Sequence, residues 1–110
     1  MTVYVDDMRA PFGRMIMCHM IADTEAELHA MATKVGIARR WYQGDHYDAA
    51  LSARAKAVSC GAVQITWRQA GMMMWHVRRG LPMPKPDEAE RTPEYLAKIE
   101  AMRARVAAGS

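Results

Sequence analysis

The sequence lacks the features that would place it in or across a membrane. No apolar run approaches the roughly 18 residues that a membrane-spanning helix needs. The first seven residues have neither the basic start nor the long apolar core of a signal peptide. We therefore expect a cytoplasmic protein that has no membrane partner.

Cysteine and the common cofactor motifs are also scarce or missing. Only Cys18 and Cys60 are present, and they stand far apart with no metal-type spacing. In a cytoplasmic protein such residues are expected to be reduced, semi-buried thiols. The chain has no P-loop and no G-x-G-x-x-G sequence, so any phosphate binding would lack a recognised cradle, and no redox cofactor is indicated.

The net charge of +3 does not by itself indicate a nucleic-acid-binding protein. Residues 1–54 hold six basic and seven acidic side chains, whereas residues 55–110 hold nine basic and five acidic ones. The excess is modest and dispersed over the C-terminal half, which is typical of a charge that serves solubility. Nucleic acid is therefore a less favoured partner than a small molecule or a protein.

The apolar pattern predicts an α/β core domain over residues 1–70. Helix signals end in a glycine and run into a strand signal twice, and such crossovers are right-handed and make neighbouring strands parallel. We therefore expect a small open, mainly parallel sheet of about four strands with two crossover helices. The predicted strands are 2–6, 14–22, 37–42 and 62–67, and the predicted helices are 24–35 and 52–60.

Individual residues mark the expected helix ends. Thr24 and Glu27 form a capping box at the start of the first helix, and Gly36 suits the left-handed conformation that closes it. Ser52 is expected to cap the second helix, and Gly61 is expected to end it.

The last third of the chain has a different character. Residues 71–91 are predicted as an irregular, methionine-rich and then proline-rich linker. Pro93 favours a helix start, and residues 92–110 are predicted to form a C-terminal amphipathic helix. This helix packs on the sheet, docks on a partner or self-associates, and the sequence leaves these alternatives open. Its apolar stripe consists of Tyr95, Leu96, Ile99, Met102 and Val106.

Candidate catalytic side chains lie where predicted strands end, which is where open α/β sheets bind their ligands. Asp6 ends the first strand, and His46 and Asp48 follow the third. A carboxylate on one ring nitrogen of His46 would fix its tautomer and raise the basicity of the other. We therefore assign His46 as the candidate base, with Asp6 and Asp48 orienting it or holding a metal ion.

Two histidines and an aspartate are candidate metal ligands. His19, His46 and Asp6 form the favoured set, and Asp45 or Asp48 can replace Asp6. Such ligands suit zinc, manganese or iron, although no local spacing such as H-x-x-x-H supports the site. His19 equally fits a hydrogen-bonded core residue. A divalent metal ion is therefore a cofactor that the sequence permits but does not identify.

Residues 39–43 combine basic and aromatic side chains. The guanidinium groups of Arg39 and Arg40 match phosphate geometry, and the ring of Trp41 can stack on a base. Alternatively, Trp41 fills the core and the two arginines pair with surface carboxylates. The predicted ligand-binding set is completed by Gln43, Ser52 and Arg54, the last two at a helix start where amides can meet an anion.

Several short blocks in a fixed order resemble the uncharacterised domain-of-unknown-function family 4031, which occurs in bacteria and phages. The blocks are VYVDDMR, GRM, MCHM, ADT, ELH, RRWYQ and HYD. The resemblance covers about residues 2–68 and leaves out the tail after Trp67. It implies a bacterial or phage origin, in agreement with a cytoplasmic location, but it implies no activity.

Together these features favour a protein that binds a small phosphorylated or nucleotide-like ligand at the carboxyl edge of the sheet. If it is an enzyme, the chemistry is hydrolytic or phosphoryl transfer, because no redox motif is visible. The alternative is a non-catalytic phage or mobile-element accessory protein that binds a protein or sequesters a ligand. Direct nucleic-acid binding is a third alternative.

Overall fold

The computed structural model describes residues 2–109, which form a five-stranded mixed sheet with four α-helices. A short 3-10 helix, Arg39–Trp41, precedes the fourth strand. The strands are β1 (Val3–Val5), β2 (Ala10–Phe12), β3 (Met15–Ala22), β4 (Tyr47–Ala50) and β5 (Val63–Gln64). The helices are α1 (Glu25–Val35), α2 (Leu51–Ser59), α3 (Trp67–Val77) and α4 (Pro93–Gly109).

The sheet is built around β3, its longest strand. Met17 and Met20 of β3 each have partners on both sides, so β1 and β2 pair with one edge and β4 pairs with the other. All three of these pairings are antiparallel, and only β5 runs parallel to its neighbour, β1, within residues 2–109. The predicted α/β class is confirmed, but the prediction of a mainly parallel sheet is wrong.

Two features separate the observed sheet from the predicted one: β1 and β2 pair antiparallel with β3, and the predicted strand at 37–42 does not form. This segment passes through the 3-10 helix instead, and the next strand begins only at Tyr47. Trp41 remains 56% exposed, whereas Tyr47 is completely buried. Burial of a large aromatic side chain outweighs the strand propensity of residues 37–42, since propensity is a weak preference that packing overrides.

The helix ends follow local hydrogen bonding, with one exception. The side chain of Thr24 accepts a hydrogen bond from the amide of Glu27, and Gly36 closes α1 with a φ of 86°, as predicted. The predicted Ser52 cap is wrong, because α2 begins one residue earlier and Ala50 is its N-cap without a side-chain hydrogen bond. Gly61 follows the end of α2 in a left-handed conformation, with a φ of 100°.

Residues 71–77, predicted as the start of an irregular linker, belong to α3. A capping box between Thr66 and Gln69 begins this helix. Its consecutive methionines, Met72 to Met74, are buried together with Tyr4 of β1 and Ala89 of the returning chain. One side of this helix is exposed, including Arg68 and Val77, so the helix is amphipathic. The three consecutive methionines obscure this pattern in the sequence.

The two faces of the sheet differ in how they are covered. Cys18 and Met20 of β3 point to the face that α1 and α2 pack against, here called the closed face. Ile21 points to the other face, where α3 and the segment after it cover only one end. Met17 and His19 lie on the remainder of that face and stay half-exposed. This remainder is called the open face.

The cysteines are both free thiols and lie in different environments. Cys18 is buried on the closed face, and Cys60 is exposed at the end of α2. Burial raises the pKa of the Cys18 thiol to about 11. At neutral pH this thiol therefore behaves as a small apolar side chain of the core.

The C-terminal helix contacts the rest of the protein mainly through its beginning. Thr92 accepts a hydrogen bond from the amide of Tyr95, and the ring of Tyr95 lies against Trp75 and His76 of α3. Residues 101–109 are exposed throughout. Within residues 2–109, no helix combines the length and apolarity that a membrane crossing requires.

Candidate functional site

The candidate site lies where β3 and β4 face each other on the open face. His19 and Asp48 are direct partners in the antiparallel pairing, so their side chains project to the same side. The ring of His46, just before β4, lies edge-on to the ring of His19 with centroids 5.2 Å apart. One ligand atom from each of these three residues lies within 4.8 Å of the other two.

A buried carboxylate fixes the orientation of His19. Oδ2 of Asp6 lies 2.7 Å from Nδ1 of His19, and Oδ1 accepts hydrogen bonds from the amides of His19 and Met8. Burial alone would raise the pKa of Asp6, but its hydrogen bonds with His19 and Met8 outweigh burial and hold that pKa below its usual value. The ionised carboxylate keeps the proton on Nδ1, which leaves the Nε2 lone pair free.

The same hydrogen bond changes the basicity of the ring. The contact with Asp6 raises the pKa of His19, although burial opposes the change. This is the effect expected when a carboxylate faces an imidazolium. His19 is therefore a stronger base and a better electron donor than an isolated imidazole.

A second carboxylate holds His46, and an arginine holds that carboxylate. Oδ1 of Asp45 lies 2.6 Å from Nδ1 of His46, and Nε of Arg78 donates to Oδ2 of Asp45 at 2.7 Å. Burial favours protonation of Asp45, but Arg78 and His46 outweigh it and lower the pKa of Asp45. Nε2 of His46 lies 3.4 Å from an oxygen of Asp48, so it faces the same point as His19.

Two imidazoles that are each fixed at Nδ1 by a carboxylate, and an aspartate opposite them, have the chemistry of a metal site. Metal-binding histidines usually donate their second ring N–H to such a carboxylate. Two histidines and one carboxylate suit zinc or iron and leave positions open for water or substrate. Bonds of about 2.1 Å would place tetrahedral ligand atoms about 3.4 Å apart. The pair His46–Asp48 already has this separation, and the widest separation, up to 4.8 Å, would shorten by up to about 1.4 Å.

The structure favours Asp48 over Asp6 as the third ligand. Both oxygens of Asp6 are engaged with His19 and Met8, and the side chain is completely buried behind the ring of His19. Asp48 has one oxygen near His46, and the other accepts a hydrogen bond from Gln43 at 2.7 Å. Asp6 is therefore placed to orient His19 rather than to bind an ion.

The site also differs in place from the predicted one. It lies on the face of an antiparallel strand pair, not at the carboxyl edge of a parallel sheet. Because β3 and β4 run in opposite directions, their carboxyl ends do not meet at one edge of the sheet. His19 and Asp48 meet through the register of their pairing instead.

A cavity of about 530 Å³ adjoins the cluster and shares Asp48 with it. Its walls come from β3, the end of α1, the 3-10 helix and the start of α2, and apolar side chains predominate. Volumes of about 300–1,000 Å³ are typical of small-molecule sites. Four of the predicted ligand-binding residues contribute to the walls: Arg40, Trp41, Gln43 and Ser52.

The other two predicted binding residues lie elsewhere. Arg54 donates from Nε to the carbonyl oxygen of Asp6 at 2.9 Å and from its guanidinium to Gln64. It therefore ties α2 to the strand end behind the site. Arg39 is exposed in the 3-10 helix and is not part of the cavity wall.

Sequence reasoning missed one residue of the site, Arg78. Its partner Asp45 stands next to His46 in the chain, and that adjacency was visible. Arg78 follows α3, a helix that the apolar pattern did not reveal, so nothing in the sequence related it to Asp45. The contact depends on how α3 packs across the open end of the sheet.

Sequence comparison places the chain in a family. The family described as protein of unknown function (DUF4031) matches residues 3–77, and the chain belongs to it. The matched region runs from β1 through α3, so it extends past the predicted limit at residue 68 and contains all six residues His19, His46, Asp48, Asp6, Asp45 and Trp41. No curated protein and no solved structure matches the chain.

Proposed function

We propose that this protein is a hydrolase that depends on a divalent transition-metal ion. The ion is bound by Nε2 of His19, Nε2 of His46 and a carboxylate oxygen of Asp48. The observation that carries the proposal is that each of the two rings has a carboxylate at Nδ1 and that one ligand atom each of His19, His46 and Asp48 lie within 4.8 Å of one another.

A purely structural role accounts less well for this cluster. A fully buried carboxylate such as Asp6 costs free energy unless it is paired. One oxygen of Asp6 accepts two backbone hydrogen bonds, and the other faces a partly exposed histidine ring. The carboxylate of Asp48, on the neighbouring strand β4, lies close to both histidine rings. Two fixed imidazoles and a carboxylate with their free atoms together on an open face are the arrangement that a cation satisfies.

The substrate in this proposal is a small phosphorylated or nucleotide-like molecule in the cavity beside Asp48. A metal ion held by His19, His46 and Asp48 would supply an acidic bound water and would polarise a phosphoryl oxygen. Water adds to phosphorus, the ester P–O bond breaks, and the proton that water loses ends on the departing oxygen. Within the chain, Gln43 fixes Asp48, and Arg40 faces the phosphate charge.

His46 has a different role in this mechanism from the one that the sequence favoured. As a metal ligand through Nε2 it cannot also accept a proton there. His46 could act as a general base only in an enzyme that binds no metal ion at this site. The proposal therefore assigns proton removal from water to the effect of the metal ion.

The decisive experiment is calorimetric titration of metal-stripped protein with zinc, manganese and ferrous ions. We expect one ion per chain and a stabilisation of about 2.7 kcal/mol when the free metal is 100 times its dissociation constant. His46→Ala and Asp48→Ala should each weaken binding by at least 100-fold. Asp87→Asn, at an exposed carboxylate outside the cluster, is the control and should bind as the wild type does.

Equal affinity in all variants, or no binding of any of the three ions, would overturn the proposal. The second outcome would favour the non-catalytic alternative, in which the protein acts through a partner. The exposed apolar residues of α4, Leu96 and Met102, are the observation that favours that alternative. For this non-catalytic alternative we expect a cytoplasmic protein of phage or mobile-element origin.

A further inference from the structure

We propose that the cavity beside Asp48 selects phosphomonoesters that carry one aromatic ring, and that it disfavours both polyphosphates and phosphates without a ring. A nucleoside monophosphate and an aryl phosphate share this chemistry. The inference rests on the proposed function, because the metal ion at Asp48 fixes the phosphate end of the ligand. It adds the class of substrate and the residues that distinguish it.

The first argument concerns the aromatic ring. Trp41 lines the cavity and is 56% exposed, and the guanidinium group of Arg40 lies over its ring at 5.4 Å. Trp67 is 61% exposed but does not line the cavity, so exposure alone does not distinguish Trp41. An indole in the wall of an apolar cavity offers a surface on which a planar ring stacks, at about 1–3 kcal/mol per base.

The second argument concerns the other walls. Met17, Val35 and Ile37 contribute apolar side chains to the cavity. A sugar phosphate without a base has only hydroxyl groups to place against these side chains, and those groups would lack hydrogen-bond partners there, which is unfavourable. A flat heterocycle or a phenyl ring covers the same surface without that loss.

The third argument is the balance of charge. Among the lining residues, Arg40 is the one cation and Asp48 is the one carboxylate. With a divalent ion at Asp48, these groups sum to about +2, which matches the charge of about −1.5 to −2 on a phosphomonoester near neutral pH. A triphosphate would bring further negative charges that no lining residue neutralises.

The test uses the full-length, metal-loaded protein and four probes: adenosine 5′-monophosphate, 4-nitrophenyl phosphate, ribose 5-phosphate and adenosine 5′-triphosphate. Binding is measured by calorimetry. We expect the two ring-bearing monophosphates to bind at least tenfold more tightly than ribose 5-phosphate and the triphosphate. Similar affinity for all four probes would overturn the inference. Tight binding of only one ring-bearing probe would decide between a nucleoside and a simple aryl group as the source of the ring.

Two matched pairs of variants connect the selectivity to named residues. Trp41→Leu should reduce the affinity ratio between ring-bearing and ring-free monophosphates at least tenfold, whereas Trp67→Leu should leave this ratio unchanged. Arg40→Gln should weaken all phosphate probes by several fold, and its neighbour substitution Arg39→Gln should not. Equal effects within either pair would overturn the assignment. Trp41 and Arg40 are exposed, so thermal unfolding curves of these variants should match the wild type.

The metal titration separates failure of this inference from failure of the proposed function. One bound ion per chain without any preference for a ring overturns only the inference. A ring preference in a protein that binds no metal ion overturns the proposed function and leaves the cavity as a metal-independent binding site for the ring. If the protein binds no metal ion and shows no preference for ring-bearing probes, both proposals are overturned.

Discussion

The closed and open faces of the sheet are made by the same strands but have opposite properties. Tyr47 and Asp48 are neighbours in β4, yet Tyr47 is completely buried against α1 and α2, and Asp48 lies beside a cavity. The same alternation separates Met20 from His19 in β3. Two helices cover the closed face, whereas α3 covers only one end of the other. A polar site can exist on this sheet because α3 covers only one end of this side and leaves the remainder uncovered.

The open face is nevertheless held by parts of the protein that are packed elsewhere. Arg54 extends from α2 to the carbonyl oxygen of Asp6, and Arg78 extends from the end of α3 to the carboxylate of Asp45. Each of these aspartates fixes one histidine ring. Helices packed away from the site therefore support the orientation of its side chains, α2 from the closed face and α3 from the covered end of the other face.

The largest expected effect separates the two faces at adjacent positions of β4. Tyr47→Ala should lower the free energy of unfolding by about 3–5 kcal/mol, because it removes a buried aromatic ring from the core. Asp48→Ala should change it by no more than about 0.5 kcal/mol in metal-free protein, since the side chain lies at the surface. Urea denaturation of both variants measures the difference. Similar losses of stability would show that Asp48 is structural and that the two faces do not differ as described.

A smaller effect is expected at Asp6, and it depends on pH. The pKa of Asp6 is lowered, so its contribution is present above about pH 4 and is lost as the pH falls below its folded value. The pKa of His19 is raised, so its contribution is complete below about pH 6.5 and is lost as the pH rises through the folded value. The ion pair is therefore strongest between these limits.

Asp6→Asn should accordingly lower the stability of metal-free protein by about 1–3 kcal/mol at pH 5 to 6, and by less at pH 3 or pH 8. Asparagine can still accept the backbone hydrogen bonds of Met8 and His19, so the substitution removes mainly the charge. Denaturation at these three pH values measures the effect, with Asp87→Asn as the control for general charge changes. A loss that is constant with pH would contradict an ion pair between Asp6 and His19.

What could be predicted from the sequence is what depends on near neighbours in the chain. The capping contact between Thr24 and Glu27 and the left-handed Gly36 were predicted because their partners lie within one helical turn. β1 and β3 were predicted because each is a compact apolar segment. The segment 37–42 was predicted wrongly, because the burial of a more distant aromatic residue decided where the strand begins.

The same distinction between local and distant contacts applies to the candidate site. His19, His46 and Asp48 were identified singly as chemistry-bearing residues, but their convergence depends on the β3–β4 register, which no local pattern records. The choice between Asp6 and Asp48 as third ligand depends on which carboxylate is already engaged by backbone amides. Both are properties of the tertiary structure.

The smallest expected effect tests whether α3 supports the open face at a distance. Arg78→Gln removes the charged hydrogen bond to Asp45, while Asp45 keeps its contact with His46. Because Arg78 is largely exposed, we expect a loss of about 0.2–1 kcal/mol in metal-binding free energy, up to about fivefold in the dissociation constant. Asp45→Asn should cost more, about 10–100-fold, because it removes the partner of the ring itself.

Arg79→Gln is the matched control, because Arg79 stands beside Arg78 but lies over the ring of Trp75. Nitrogen NMR of the histidine rings in metal-free protein adds a measurement that does not depend on metal binding. Loss of the Nδ1-protonated form of His46 in Asp45→Asn, and its partial loss in Arg78→Gln, would show that the orientation is transmitted from α3 through Asp45. If Arg78→Gln and Arg79→Gln behave alike, the open face is organised by β3 and β4 alone, and α3 only covers the other end of that side of the sheet.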